Sequence, residues 1–159
     1  MAQIFPGRYT ADIEGDFVVF LIGMRINKPL KIRKWWPVVT AMRPMLKAQE
    51  ANPDIGVLDT RQALLSPREP LIIQIWRSFD VLARFAREDM IHTEPWKTYF
   101  KVVGASSGDV GIWHETYRVR AGDYETAYGN MPRFGLANAG EHRGLGSASR
   151  ARERISAKV

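Results

Sequence analysis

Phe17-Val18-Val19-Phe20-Leu21-Ile22-Gly23-Met24-Arg25-Ile26 is apolar at odd and even positions alike. Alternate residues of a strand point to opposite faces, so this run reads as a central strand covered on both sides. Helices cover one face. The other face asks for a second sheet, in this chain or in a partner. Asn27-Lys28-Pro29 ends the run.

Downstream, Trp35, Val38, Val39, Met42, Met45, Leu46 and Gln49 recur at helical spacing and predict a helix over roughly Ile32 to Ala51. Pro37 suits its first turn, and Pro44 predicts a kink or a break. Ile55 to Leu65 and Leu71 to Trp76 read as strands joined across Ser66-Pro67-Arg68-Glu69-Pro70, a hairpin. Ser78 caps a helix with Phe79, Leu82, Phe85 and Ala86 on one side. Another turn or two follow His92, with Trp96, Phe100 and Val103 aligned; His92 reads as a polar contact near a helix start. Val110 to Val119 supplies the last strand.

Strand, helix, strand, strand, helix, strand is the split βαβ pattern, an α+β ferredoxin-like fold. Its antiparallel sheet carries helices on one face, so the other face is expected to pack on a second copy in a homodimer. The space between sheet and helices is the expected pocket. The expected organisation is a leader over 1–15 without clear period, a ferredoxin-like domain over 16–138, and a mobile basic tail over 139–159. Tyr124 to Tyr128 reads as a further strand, Gly129 to Gly135 as a crossing or a lid, and Ala148 to Ile155 as a short helix.

The net charge of +6 is unevenly spread. Arg143, Arg150, Arg152, Arg154 and Lys158 against Glu141 and Glu153 place half of it on the tail. Lys28, Lys31, Arg33 and Lys34 ahead of Trp35-Trp36 form the one basic cluster beside aromatics. That is too little for a nucleic-acid stripe, so nucleic acid is not an expected partner. Cysteine is absent, which removes disulfides, thiolate metal sites and a cysteine nucleophile and fits the cytoplasm. No signal peptide opens the sequence, and no apolar run approaches the length of a bilayer span, so no membrane partner is expected.

In Val110-Gly111-Ile112-Trp113-His114-Glu115-Thr116-Tyr117-Arg118-Val119, period 2 puts His114 with Val110, Ile112, Thr116 and Arg118, and Trp113, Glu115 and Tyr117 opposite. A large hydrophobe beside a titratable group on each face suits a strand that lines a pocket. His114 is the candidate catalytic residue. Trp113, Tyr117, Trp76, Asn130, Arg133 and Phe134 are the candidate substrate-binding residues. No phosphate loop, nucleophile elbow or pair of His at metal spacing is present.

Phe17 to Asn27, Trp76-Arg77-Ser78-Phe79, Gly108 to Tyr117 and Tyr128 to Leu136 resemble the family named after a fungal fumagillin-pathway monooxygenase. That family belongs to the dimeric α/β-barrel superfamily, with the antibiotic-biosynthesis monooxygenases. The resemblance spans about Asp16 to Ala137. It implies a dimeric α/β barrel and an oxygenase-like activity on a small molecule with dioxygen, but no agreed catalytic set. Cofactor-free oxygenases of the superfamily need only a base and a dry pocket, and His114 would be that base. Other relatives bind haem through one His, and Trp113-His114-Glu115 loosely resembles the aldoxime dehydratases; His114 would then be the axial ligand. A non-enzymatic ligand carrier is the third reading.

Overall fold

A computed structural model describes residues 2–88, 90–104, 107–146 and 150–156. In chain order the elements are β1 (Phe5–Asp12), β2 (Phe17–Ile26), α1 (Ile32–Ala51), a 3-10 turn (Pro53–Ile55), β3 (Val57–Ser66) and β4 (Glu69–Trp76). Then come α2 (Phe79–Glu88), α3 (Met90–Val103), β5 (Val110–Val119), β6 (Tyr128–Met131), α4 (Leu136–Ala139), β7 (Glu141–Gly144) and α5 (Ala151–Ser156).

Strands β3-β4-β2-β5 form one antiparallel sheet in that order, the ferredoxin-like topology expected from the element pattern. The apolar run of β2 is central, as its two-sided hydrophobicity requires. On the helix side Val18, Met45, Trp76, Leu82 and Phe85 make one buried cluster under α1 and α2. Met24, Ile26, Val38, Val103 and Val110 make a second under α1 and α3. The second crossover is two helices rather than one with an added turn. The side chain of His92, on α3, lies outside the described residues. Helix α1 runs unbroken through Pro44, which stands exposed on its wet side.

The flanks differ from expectation. Residues 5–12, within the stretch read as a leader without clear period, are a strand: β1 is the middle of a second sheet, β6-β1-β7. The pairing slips between Phe5 and Arg8, where Pro6 and Gly7 sit, so the irregularity that hid the period in sequence is a bulge. Residues 141–144 are likewise a strand of that sheet, and Leu145 beyond them is buried, so the basic tail is built in at its start. The predicted terminal helix appears as α5; Ala148 and Ser149 lie outside the described residues.

Tyr124 to Ala127 is not strand. Side chains do the pairing there instead. Tyr124 Oη accepts from Ile13 N at 2.5 Å, and Thr126 Oγ1 accepts from Ala11 N at 2.7 Å. These contacts, with Tyr124 edge-on to Phe17, fasten the second sheet to the end of the first. Part of the helix-free face is therefore covered by this chain's own β1, β6, β7 and α4.

Candidate functional site

On the helix side of the main sheet, register aligns Gln62, Ile72, Ile22 and His114 in one row across β3, β4, β2 and β5. The next row pairs Leu64 with Pro70 and Met24 with Ile112. Opposite residues of an antiparallel pair share a face, so these rows form a floor. Val38, Val39, Met42, Arg43 and Leu46 of α1 form the roof. Between them lies a cleft of about 480 Å³, within the range of small-molecule pockets. Its lining is apolar except for Gln62 and Arg43. Leu64, 70% exposed, marks where it reaches solvent beside β3.

His114 completes the first row at the far edge. Ile22 and Ile112, its neighbours on that face, also line a small void under Trp96 and Tyr99 of α3. The imidazole lies 5.8 Å from the Phe20 ring and is exposed. Among the described residues nothing hydrogen-bonds to it, so its ring nitrogens remain available for an outside partner.

One row further in, Gln74 joins a buried amide network. Its Nε2 donates to Gln49 Oε1 at 2.8 Å and to Thr60 Oγ1 at 3.2 Å, and its Oε1 accepts from Trp76 Nε1 at 3.1 Å. These bonds satisfy the Gln74 amide and the Trp76 indole N–H, which are costly to bury unpaired, while Gln49 Nε2 is buried without a partner among the described residues. Trp76 is fully buried, so the structure places it in the core and not on a substrate surface.

Trp113 and Tyr117 lie on the opposite face of β5 from His114. The structure does not bring them to the cleft. Trp113 lies over Gly23, its partner across the β2–β5 ladder; a Cβ on Gly23 would stand 2.6 Å from the indole. Tyr117 Oη donates to Glu115 Oε2 at 2.5 Å, and that carboxylate holds the phenol above its ordinary pKa.

The Asn130–Phe134 segment belongs to a third place. Asn130, at a φ of 54°, accepts from Gly7 N at 2.9 Å and caps the β1 bulge. Phe134 lies under the Arg61 guanidinium at 4.9 Å, while Arg61 pairs with Asp59 at 3.1 Å. Arg133 is exposed near His142. That histidine stacks on Tyr9 at 4.6 Å with Phe5 edge-on at 4.8 Å, and its Nε2 is buried without a partner among the described residues. Burial, with the Arg133 charge second, holds His142 below its ordinary pKa. His142 is thus part of a packed aromatic cluster, not of a mobile tail.

Of the candidates, then, only His114 adjoins the cleft. Sequence reading missed Met24, Met42, Arg43, Gln62 and Leu64 as cleft residues. Ile112, two before His114 on the same face, was the available signal, but cross-strand rows need a register that one strand does not carry.

The monooxygenase af470-like family matches residues 17–136, from β2 to the start of α4. The chain belongs to this family. Monooxygenase af470 of Aspergillus fumigatus is 28% identical over 151 residues, covering 82% of this chain and 53% of that protein. The chain thus spans about half the length of this curated relative. Among solved structures, an aldoxime dehydratase in complex with butyraldoxime superposes with a TM-score of 0.68 at 16% identity, over 87% of this chain and 42% of that one. A second aldoxime dehydratase gives 0.68 at 17% identity, over 87% and 43%. At such identities the likeness shows a shared fold.

Proposed function

We propose that this protein is a monooxygenase-type oxidoreductase that takes an apolar, electron-rich small molecule into the cleft between α1 and the sheet. The observation that carries the reading is the row Gln62, Ile72, Ile22 and His114. It sets a neutral amide and an imidazole at the two ends of an apolar floor. Membership of the monooxygenase af470-like family supports the reaction class.

A substrate laid along that row presents an acidic C–H or phenolic O–H to His114. The imidazole takes the proton as general base, and the anion left behind reduces dioxygen directly. For an activated methylene the balance is complete. Its carbanion and dioxygen join through a new carbon–oxygen bond, giving a peroxide anion. The imidazolium returns its proton to the terminal oxygen. Loss of the remaining hydrogen on that carbon, with cleavage of the oxygen–oxygen bond, then releases water and leaves a ketone. Arg43, the charged residue of the lining, favours the anion, and the aliphatic walls limit the water that would quench it.

A second reading is haem, favoured by the available imidazole and by the fold shared with the aldoxime dehydratases. The residues fit such a group: His114 is a lone donor on a regular strand beside Phe20, Ile22 and Ile112. Among the described residues no three His, Asp or Glu gather as a cage of their own. His114 would hold the iron, and haem would supply a redox-active Lewis acid.

We also propose that the molecule acts as a cytoplasmic homodimer. Val19, Leu21 and Ile73 on the helix-free face are only half-buried and Tyr117 is 51% exposed, which supports a second copy there.

The test begins with the absorption spectrum of the purified protein with and without added haem. A Soret band that His114→Ala abolishes supports haem; a colourless protein that refuses haem removes that reading. Oxygen-electrode traces with phenols, quinols and polyenes then follow, with Met42→Trp filling the cleft. Uptake lost in both His114→Ala and Met42→Trp, with the fold retained, is the expected result for the cofactor-free reaction. Uptake unchanged in both would overturn the site. A ligand bound and released unaltered would make the protein a carrier.

A further inference from the structure

The first turn of α1 and the loop before it combine exposure and charge in a way the proposed reaction does not use. Leu30 is 96% exposed, Ile32 57% and Trp36 52%. Ile32 and Trp36, four apart, share a helix face, and Leu30 stands at the loop tip ahead of them. Around them are Lys28, Lys31, Arg33 and Lys34, and no acidic residue occurs from Asn27 to Gln49. Asp109, just before β5, reaches this cluster. It is 3% exposed and bonded by Lys28 Nζ at 2.9 Å and Lys31 Nζ at 2.9 Å, so it anchors the loop from within. Helix starts ordinarily favour acidic residues; this one has none in its first turn and no side-chain cap, so the helix dipole adds to the positive field.

We propose that this end of α1 docks on the surface of an anionic phospholipid bilayer, with Leu30, Ile32 and Trp36 entering the headgroup boundary and the basic side chains facing the phosphates. Aliphatic tips ringed by cations match the two components of such a surface, apolar and anionic. Nucleic acid is the poorer match, because Leu30 and Ile32 offer bases no stacking plane and Trp35 is tied back through Nε1 to Pro29 O at 2.9 Å. Docking is peripheral: no helix of the described residues is long and apolar enough to cross a membrane. The sequence-based expectation of no membrane partner rested on the lack of a signal peptide and of a span-length apolar run, neither of which bears on peripheral docking.

The test is co-sedimentation of the full chain with phosphatidylcholine vesicles, with and without phosphatidylserine. Binding is expected only to the serine-containing vesicles. It should fall on the order of tenfold or more in Leu30→Asp, in Trp36→Ser and in the double variant Arg33→Glu/Lys34→Glu. Leu30, Arg33 and Trp36 are exposed and Lys34 is half-buried, and circular dichroism verifies that each variant keeps its fold. No binding to the anionic vesicles overturns the proposal, as does binding that Leu30→Asp and Trp36→Ser leave unchanged, which would be charge adsorption alone. Single-stranded DNA binding lost in the charge-reversal variant, without vesicle binding, overturns it in favour of nucleic acid. Self-association abolished by Leu30→Asp, without vesicle binding, overturns it in favour of a second copy.

Discussion

Gly23→Ala tests whether the face of the sheet behind the cleft is organised by the Trp113 indole. The new Cβ would lie 2.6 Å from Cε2 and 2.7 Å from Cζ2 and Nε1 of Trp113. Carbon atoms rest at about 3.5–4.0 Å, so the ring must withdraw by roughly 1 Å. Overpacking of this kind costs about 1–3 kcal/mol. Against it stands the backbone gain of replacing glycine in a strand, roughly 0.5–1 kcal/mol. The expected net effect runs from about neutral to a loss of about 2.5 kcal/mol, a loss being read as a lower urea midpoint at unchanged slope. Trp113→Ala supplies the control, since the three atoms nearest the new methyl all belong to that indole, and without it Gly23→Ala should become neutral or stabilising. A double-mutant cycle isolates that coupling. An additive cycle, or a Gly23→Ala protein more stable than the parent, would refute the argument.

His114→Ala should shift stability by no more than about 0.5 kcal/mol, because the ring is exposed and lacks a described hydrogen bond; a larger loss in chemical denaturation would mean a structural role. His142 is held below its ordinary pKa by burial, so the unfolded chain binds its proton at higher pH than the folded one. Stability should therefore fall as pH drops below about 6.5, level off below the depressed folded value, and lose this component in His142→Phe, as thermal melts across pH can check. Sedimentation at micromolar concentration should give a dimer that Leu21→Glu dissociates; a monomeric parent would sink the assembly proposal.

The limits of β2, α1 and β5 were legible because each is set by local signals: two-sided apolarity, helical spacing, and Gly108-Asp109 before β5. So was the division of β5 into a face with His114 and a face with Trp113 and Tyr117. The second sheet was not. Pro6 and Gly7 break the alternation of β1 at its bulge, and its partners are at the far end of the chain. Trp76 reads as a pocket aromatic in sequence because nothing local reveals Gln74 and Gln49 waiting to receive it. Trp113 and Tyr117 were placed on the correct face, but which face holds the cleft depends on where α1 packs. Arg43 lines the cleft from the helix, although helical spacing in sequence marks mainly the apolar residues of α1.

The place of β1 has a consequence for the order of assembly. The four-stranded sheet closes within residues 17–119, so every contact it needs exists before β6 emerges during synthesis. Among the described residues strand β1, made before the main sheet, pairs with residues 128–131 and 141–144, and until they appear it has no mate. Closing that long loop favours a late docking step after the main sheet has condensed. A chain cut short after β5 would keep its cleft yet leave an unpaired strand exposed at its start, and such an edge invites aggregation.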